Sequence, residues 1–306
     1  MTHHSFWNDD KHYCEYMSAI IPDIPAIKAV MLEPVFNNST EICLFDFSNE
    51  LHIPYPATSP NCLASFVKIA TGNSLNTVAE ASSHFFVILK GNGTVYCGEG
   101  SVEWNQGDIL TIPYDRQIDF EAHSDSLIYW VNDEPLLQRL QAAPQRPAFS
   151  PTIYQYAELK AAADKYNTQT NANKRNRNGV IPVHPEYDQT KSATPVLWTL
   201  FNIIQPGQIQ PAHRHNSVAL DLCTEGPSDG KVYTLMSKKI DFEGKLIDPV
   251  KLEWLPNTAF VTPPGWWHEH HNDSDSPAVV VPVQDAGLYN YQRTLFIEFA
   301  SEIFKK

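Results

Sequence analysis

The chain has 306 residues, 42% of them hydrophobic, enough to bury a large core in about two domains of ordinary size. Lys+Arg 22 against Asp+Glu 35 gives a formal net charge of −13, a sign that repels phosphate backbones and anionic lipid, so neither nucleic acid nor a membrane is expected as a partner. The five cysteines, Cys14, Cys43, Cys62, Cys97 and Cys223, are scattered and form no C-x-x-C pair, which points away from a disulfide framework or zinc knuckle and toward a reducing cytoplasm.

The start of the chain, "MTHHSFWNDDKHY", lacks the basic and apolar blocks of an export leader, and no run approaches the ~20 apolar residues of a membrane helix. Its His3, His4 and His12 read as loose surface histidines. Next comes a β-rich region, "HFFVILKGNGTVYCGEGSVEWNQGDILTIPYD", with hairpin signals at Gly91-Asn92-Gly93 and Gly98-Glu99-Gly100. His84 and His123 read there as ordinary core or surface residues, and "IPYDRQID" holds no histidine. A Pro-rich break near residues 142–150 divides the chain into residues 1–145 and 146–306.

After the break, "YQYAELKAAADKY" predicts a helix, and the Asn-rich stretch over 168–178 predicts a linker or lid. Lys174, Arg175 and Arg177 form its basic patch, either solvated or anion-binding. A second β-rich region starts at "VLWTLFNIIQPGQIQPAHRHNSVALDLCTEG" and ends at "FVTPPGWWHEHH". "GDILTIP" and "NTAFVTPP" occupy matching places in the two regions, so a duplicated β-barrel or sandwich is the simplest architecture.

Side chains alternate faces along a strand, so His213 and His215 share one face, with Ser217, Ala219 and Asp221 beyond them. His268 and His270 likewise share a face with Trp266, opposite Trp267, Glu269 and His271. Four imidazoles can therefore meet in one interior. Three neutral imidazoles on one side of a metal suit Fe, Zn, Cu or Ni and leave positions open for substrate. A buried histidine can also be purely structural, and Trp198 and Trp266 can be core aromatics.

H-x-H on one strand and P-x-G-x-x-H-x-x-x-N on another, here Pro263 to Asn272 through Gly265 and His268, resembles the two-part signature of the cupin superfamily. The glutamate that can serve cupins as a fourth ligand is missing, with Ala219 and Leu220 in its places. "ATPVLW", "QPAHRH…AL" and "TPPGWWHEH" resemble the metal-bearing cupin of gentisate 1,2-dioxygenases and of salicylate and 1-hydroxy-2-naphthoate ring-cleaving dioxygenases. "VEWNQGDILTIP" and "DEPLLQRL" resemble that family's metal-free cupin, here placed first, so the order of the two is exchanged.

The resemblance implies an all-β, double-stranded β-helix (jelly-roll) bicupin with a helical linker: a metal-free cupin over 1–145 and a lid plus metal-binding cupin over 146–306. It implies that His213, His215 and His268 hold Fe(II), with Zn, Ni or Mn as alternatives, and that His270 sits beside the substrate as a hydrogen-bonding or acid/base group. Trp198 and Trp266 would line the pocket, and Arg177 would contact a substrate carboxylate. Asp221 departs from the family, which commonly has arginine there; an inward carboxylate disfavours an acidic ring such as gentisate unless a barrel residue neutralises it. The implied activity is a mononuclear Fe(II) dioxygenase acting with dioxygen on a small aromatic or cyclic substrate, in a cytoplasmic homo-oligomer. The alternatives are a metal-dependent isomerase or lyase, and a cupin that binds a small molecule without turnover.

Overall fold

The computed structural model describes residues 10–20, 24–77, 79–98, 100–168 and 176–303. His3, His4, Lys174 and Arg175 lie outside these residues, and His12 is exposed. In chain order the first strands are β1 (Val30–Leu32), β2 (Glu41–Leu44), β3 (Leu63–Ile69), β4 (Ser74–Asn76), β5 (Ser83–Lys90), β6 (Asn92–Cys97), β7 (Gly100–Asn105), β8 (Ile109–Pro113), β9 (Ile118–Ala122), β10 (Ser126–Asn132) and β11 (Thr152–Tyr154). Then follow β12 (Gly179–Val180), β13 (Trp198–Thr199), β14 (Phe201–Ile204), β15 (Ile209–His215), β16 (Ala219–Glu225), β17 (Val232–Ser237), β18 (Val250–Glu253), β19 (Thr258–Thr262), β20 (Trp267–Asn272), β21 (Ala278–Gln284) and β22 (Ile297–Phe299).

Runs such as "SHFFVILK" and "ALDLCTE" become strands because apolar, aromatic and β-branched side chains fit a pleated surface covered on both faces. The strands form two barrels of two antiparallel sheets each. In the first, a sheet in the order β11-β8-β5-β10-β3-β2 faces one in the order β4-β9-β6-β7. In the second, β1-β19-β16-β21-β14-β12, with β13 also on β21, faces β18-β17-β20-β15-β22. Phe86, Trp104, Phe120 and Trp130 fill the first interior, and Met236, Trp254, Phe260 and Val280 pack in the second.

A third apolar cluster joins the barrels. Phe66, Phe85, Val87, Tyr129 and Val131 from the first merge with Phe201, Leu220, Leu222, Val281 and Val283 from the second. The larger sheet of each barrel is thus covered on both faces. At its margin, Asn61 Nδ2 donates to Asp285 (2.7 Å) and the Tyr156 hydroxyl to Glu225 (2.6 Å). The helix predicted after the Pro-rich break spans Tyr156–Asn167.

Two strands cross the break near residue 145. β1 pairs with β19 of the second barrel, and β11 pairs with β8 of the first. Of the two hairpin signals, the one at Gly98 and Gly100 falls where β6 and β7 pair as a hairpin, with Cys97 opposite Gly100, as expected. Gly91-Asn92-Gly93 instead carries the chain from the six-stranded sheet to the four-stranded one. The corner is so tight that a Cβ on Gly93 would stand 2.0 Å from the Glu121 carbonyl oxygen, and Gly91 has a φ of 91°.

Matching hydrogen bonds relate the two barrels as copies. Asp133 accepts from the Ser83 amide (2.9 Å) as Asp285 accepts from the Val218 amide (3.0 Å). Gly72 N donates to Ala122 O as Gly207 N donates to Asn272 O, both at 2.8 Å.

Because one apolar layer serves both barrels, Phe66→Ala should destabilise the whole chain by about 3–5 kcal/mol. Urea unfolding followed by circular dichroism should show one transition moved to lower denaturant; two resolved transitions would mean that the barrels unfold independently.

Candidate metal centre

Strand β15 pairs Gln210 with His270, bulges through Pro211 and Ala212, and resumes with His213 opposite His268. His213 and His215 thereby face the interior beside His268 of β20. The ligand atoms of these three imidazoles all lie within 4.8 Å of one another. Among the described residues they are the one cluster of three or more His, Cys, Asp or Glu with metal-holding geometry. His215 and His268 are buried and His213 is partly buried.

The partners of the second ring nitrogens show which of the histidines suit a metal. His215 Nδ1 lies 2.9 Å from the Ser217 carbonyl oxygen, and His268 Nδ1 lies 3.1 Å from that of Trp266. A carbonyl only accepts, so each Nδ1 carries the proton and each Nε2 keeps its lone pair for a ligand. Burial holds His213 and His268 well below the ordinary imidazole range and His215 at about 4. The three are therefore neutral at physiological pH. This donor set fits a divalent metal held on three nitrogens.

His270 is arranged differently. The Trp254 indole donates to Thr234 Oγ1 (2.8 Å), which lies 2.8 Å from His270 Nδ1. With one lone pair taken by the indole proton, the threonine hydroxyl is free to donate to Nδ1, an arrangement in which the neutral ring holds its proton on Nε2 and presents it to the cavity. Burial holds the ring neutral.

Arg177 reaches the site from the residues just before β12. Its guanidinium touches His213 Nδ1 and donates to the Pro211 carbonyl oxygen (3.2 Å). Burial lowers it to about 9, while Asp221 and Glu269 act in the opposite direction, so it remains cationic at neutral pH. A guanidinium only donates, whereas His213 bound to a metal through Nε2 must carry its proton on Nδ1. This contact and a metal on His213 Nε2 therefore exclude each other.

Asp221 faces the interior because its neighbours Leu220 and Leu222 belong to the layer between the barrels. Thr262 Oγ1 donates to it at 2.5 Å. Burial raises its carboxyl to about 7, against the lowering effects of Thr262 and Arg177. Trp198 pairs with Gln284, which also pairs with Ala219, so Trp198 lies on the same interior side. Trp266 packs against the interior cluster with Lys238 Nζ 5.3 Å from its ring centroid. His271 points away, 2.8 Å from Glu269 and stacked on Tyr233.

Thr234, Trp254, Thr262 and Phe299 escaped the sequence reading. Phe299 stacks on His213 at a centroid distance of 5.9 Å, from a strand with no local sign of the site. Thr262 had a signal: it directly precedes the Pro263 motif on a strand that pairs with β16.

Among the described residues the first barrel holds no equivalent histidine cluster. Leu75 pairs with Phe120 where Gln210 pairs with His270, so Phe120 and Ile118 occupy the places of His270 and His268. His84 accepts from the Trp130 indole at 3.3 Å, and burial lowers it to about 3.

Two jelly-roll barrels in one chain, the second holding a buried three-histidine cluster, define a bicupin. Residues 79–176 match the AraC-like ligand binding domain family. The chain is similar to a gentisate 1,2-dioxygenase from Ralstonia sp, with 28% identity over 147 residues, 48% of this chain and 38% of that relative. It is also similar to a 1-hydroxy-2-naphthoate 1,2-dioxygenase from Nocardioides sp. (strain KP7), with 24% identity over 55% of this chain and 40% of that relative. A 5-aminosalicylate 1,2-dioxygenase from Comamonas sp is 25% identical over 51% of this chain and 39% of its own length. The matches thus span about half of this chain and about two fifths of the curated relatives. The structure of salicylate 1,2-dioxygenase from Pseudoaminobacter salicylatoxidans superposes with a TM-score of 0.67 at 13% identity, covering 93% of this chain and 88% of that one.

The Asp221 carboxyl has a testable consequence. Its value in the folded chain, about 7, lies above the ordinary carboxyl value of 3.8, so the folded state binds the proton more tightly. Its stability contribution is full below about pH 4 and is lost as pH rises through 7. Asp221→Asn removes this loss. The melting temperature of the variant relative to wild type should therefore rise from pH 5 to pH 8, as measured by scanning calorimetry.

Proposed function

We propose that the chain is a mononuclear Fe(II) dioxygenase acting on a small aromatic ring. The observation that carries this reading is the trio His213, His215 and His268, with two of the three Nδ1 protons tied to backbone carbonyls. The similarity to ring-cleaving dioxygenases supports it. Fe(II), when bound, supplies open coordination positions for oxygen groups of the ring and for dioxygen. His270 donates from Nε2 to a substrate oxygen and steadies the negative charge that develops there. Trp198 and Trp266 wall the ring, and the buried interior excludes water.

Asp221 and Arg177 set the preferred substituents. An inward carboxylate repels an acid group and accepts from an amine, hydroxyl or amide, so the preferred ring carries one of these at that edge and is not gentisate itself. Any substrate carboxylate pairs with Arg177. A ring amine is present in the substrate of the 5-aminosalicylate relative. The free thiols of all five cysteines are in keeping with a cytoplasmic setting, and among the described residues no helix is long and apolar enough to cross a membrane. A homo-oligomer and a boundary at residue 145 between a metal-free and a metal-binding cupin complete the proposal.

A second reading, ligand binding without turnover, is favoured by the AraC-like match over 79–176. Oxygen uptake separates the two. Fe(II)-loaded protein should consume oxygen with aminophenol-type ring compounds, whereas binding without uptake would support the second reading.

Alanine at His213, His215 or His268 should empty the site of iron, measured by elemental analysis. His270→Ala should keep most of its iron and lose kcat by about 100-fold or more, the scale of a lost acid/base or oxyanion contact. Iron lost equally in His270→Ala would make it a fourth ligand.

Asp221→Arg should gain turnover of acidic rings and lose it with amine-bearing ones, compared as kcat/KM for gentisate and aminophenols. Efficient gentisate cleavage by wild type would overturn the role given to Asp221.

A further inference from the structure

The inner face of β15 presents His213 and His215, and its outer face presents Arg214. Past the bulge, pairing with β20 ends at His213–His268. From there β15 is laddered along its other edge, with His213, Arg214 and His215 opposite Phe299, Glu298 and Ile297 of β22. Arg214 connects all three strands. Its Nε and Nη2 both donate to Glu298 Oε2 of β22 (2.8 and 2.6 Å), and its guanidinium carbon lies 4.6 Å from the ring centroid of Trp267 on β20. Trp267 directly precedes His268 and is itself buried in an outer satellite core with Ala212 and Ala300.

We infer that Arg214 is a positioning residue for the metal centre: by clamping β22 and Trp267 across the back of the ligand strand, it fixes the spacing of His213, His215 and His268 without touching the metal. This rests on the metal reading above. The physical basis is that three imidazoles whose ligand atoms lie within 4.8 Å of one another must place those atoms to within about 0.2 Å of ideal metal–ligand distances to bind one ion. At Arg214 and His215 the β20 ladder has ended, and on that side the Gly265 amide donates to the His215 carbonyl oxygen (2.7 Å). The clamp has two elements that a lysine cannot both reproduce: a planar face on an aromatic ring and a fork on a carboxylate. Ordinary surface ion pairs contribute little to stability, so the expected effect is on ligand geometry more than on folding.

The test uses Co(II) as probe, titrated by its visible absorption into metal-free wild type, Arg214→Met, Arg214→Lys, Glu298→Gln and His215→Ala. Titrations are run well below each melting temperature, with circular dichroism to confirm folding. Absorption present in wild type and absent in His215→Ala defines binding at the centre. Arg214→Met should weaken that binding by about 10–100-fold, the scale seen when outer partners of metal ligands are lost, and the other two clamp variants should weaken it by less. A purely structural role would lower the melting temperature and leave cobalt affinity within two-fold of wild type, which would overturn the inference. Should Arg214→Met fail to fold, Glu298→Gln decides in the same way. Absence of the absorption in wild type would overturn the metal reading and this proposal together.

Discussion

The apolar layer between the two barrels is the constraint on which the site depends. Leu220, Leu222, Val281 and Val283 bury their side chains in it, and the two-residue period of a strand then turns Asp221 toward the opposite face. A sheet held on both faces is a rigid wall. Facing it, the sheet of β15, β17 and β20 brings four histidines to the same interior. The layer also explains how an acidic chain can keep a carboxylate, a guanidinium and several imidazoles out of water. The cost of burying them is offset by large apolar burial elsewhere, and each is paired or held neutral.

Within the interior, chemical role follows from the second nitrogen of each ring. Ser217 and Trp266 offer carbonyl oxygens, which force a free lone pair to the front of His215 and His268. Thr234 offers a hydroxyl that, with the Trp254 indole on one lone pair, is free to donate to Nδ1 and so to leave a proton at the front of His270. Residues of one type, a few ångströms apart, thus differ in what they can present to the interior according to what stands behind them.

How far this was legible in the sequence follows from the range of the interactions involved. His213-x-His215 and Pro263 to Asn272 were readable because face-sharing depends only on local period, and the motif's spacing does not depend on tertiary context. Gly91-Asn92-Gly93 was misread as a hairpin because a tight turn between paired strands and a corner between sheets demand the same residues; only the partners of β5 and β6 distinguish them. Thr234 and Phe299 had no local signal, since their role comes from strands that meet the site only in the folded chain.

The exchange of β1 and β11 also bears on how the protein is made. Val30 leaves the ribosome long before its ladder partner, Val261. Until then β19 does not exist, and the early strand must stay unpaired or be shielded while the first barrel closes around it. β11, by contrast, follows its partner β8 closely. The first barrel can therefore mature during synthesis, whereas the edge of the second barrel stays open until β19 has emerged. Assembly of the three-histidine cluster is then a late event, coupled to the arrival of β20 and β22 and to the moment when a strand made much earlier seals an exposed sheet edge.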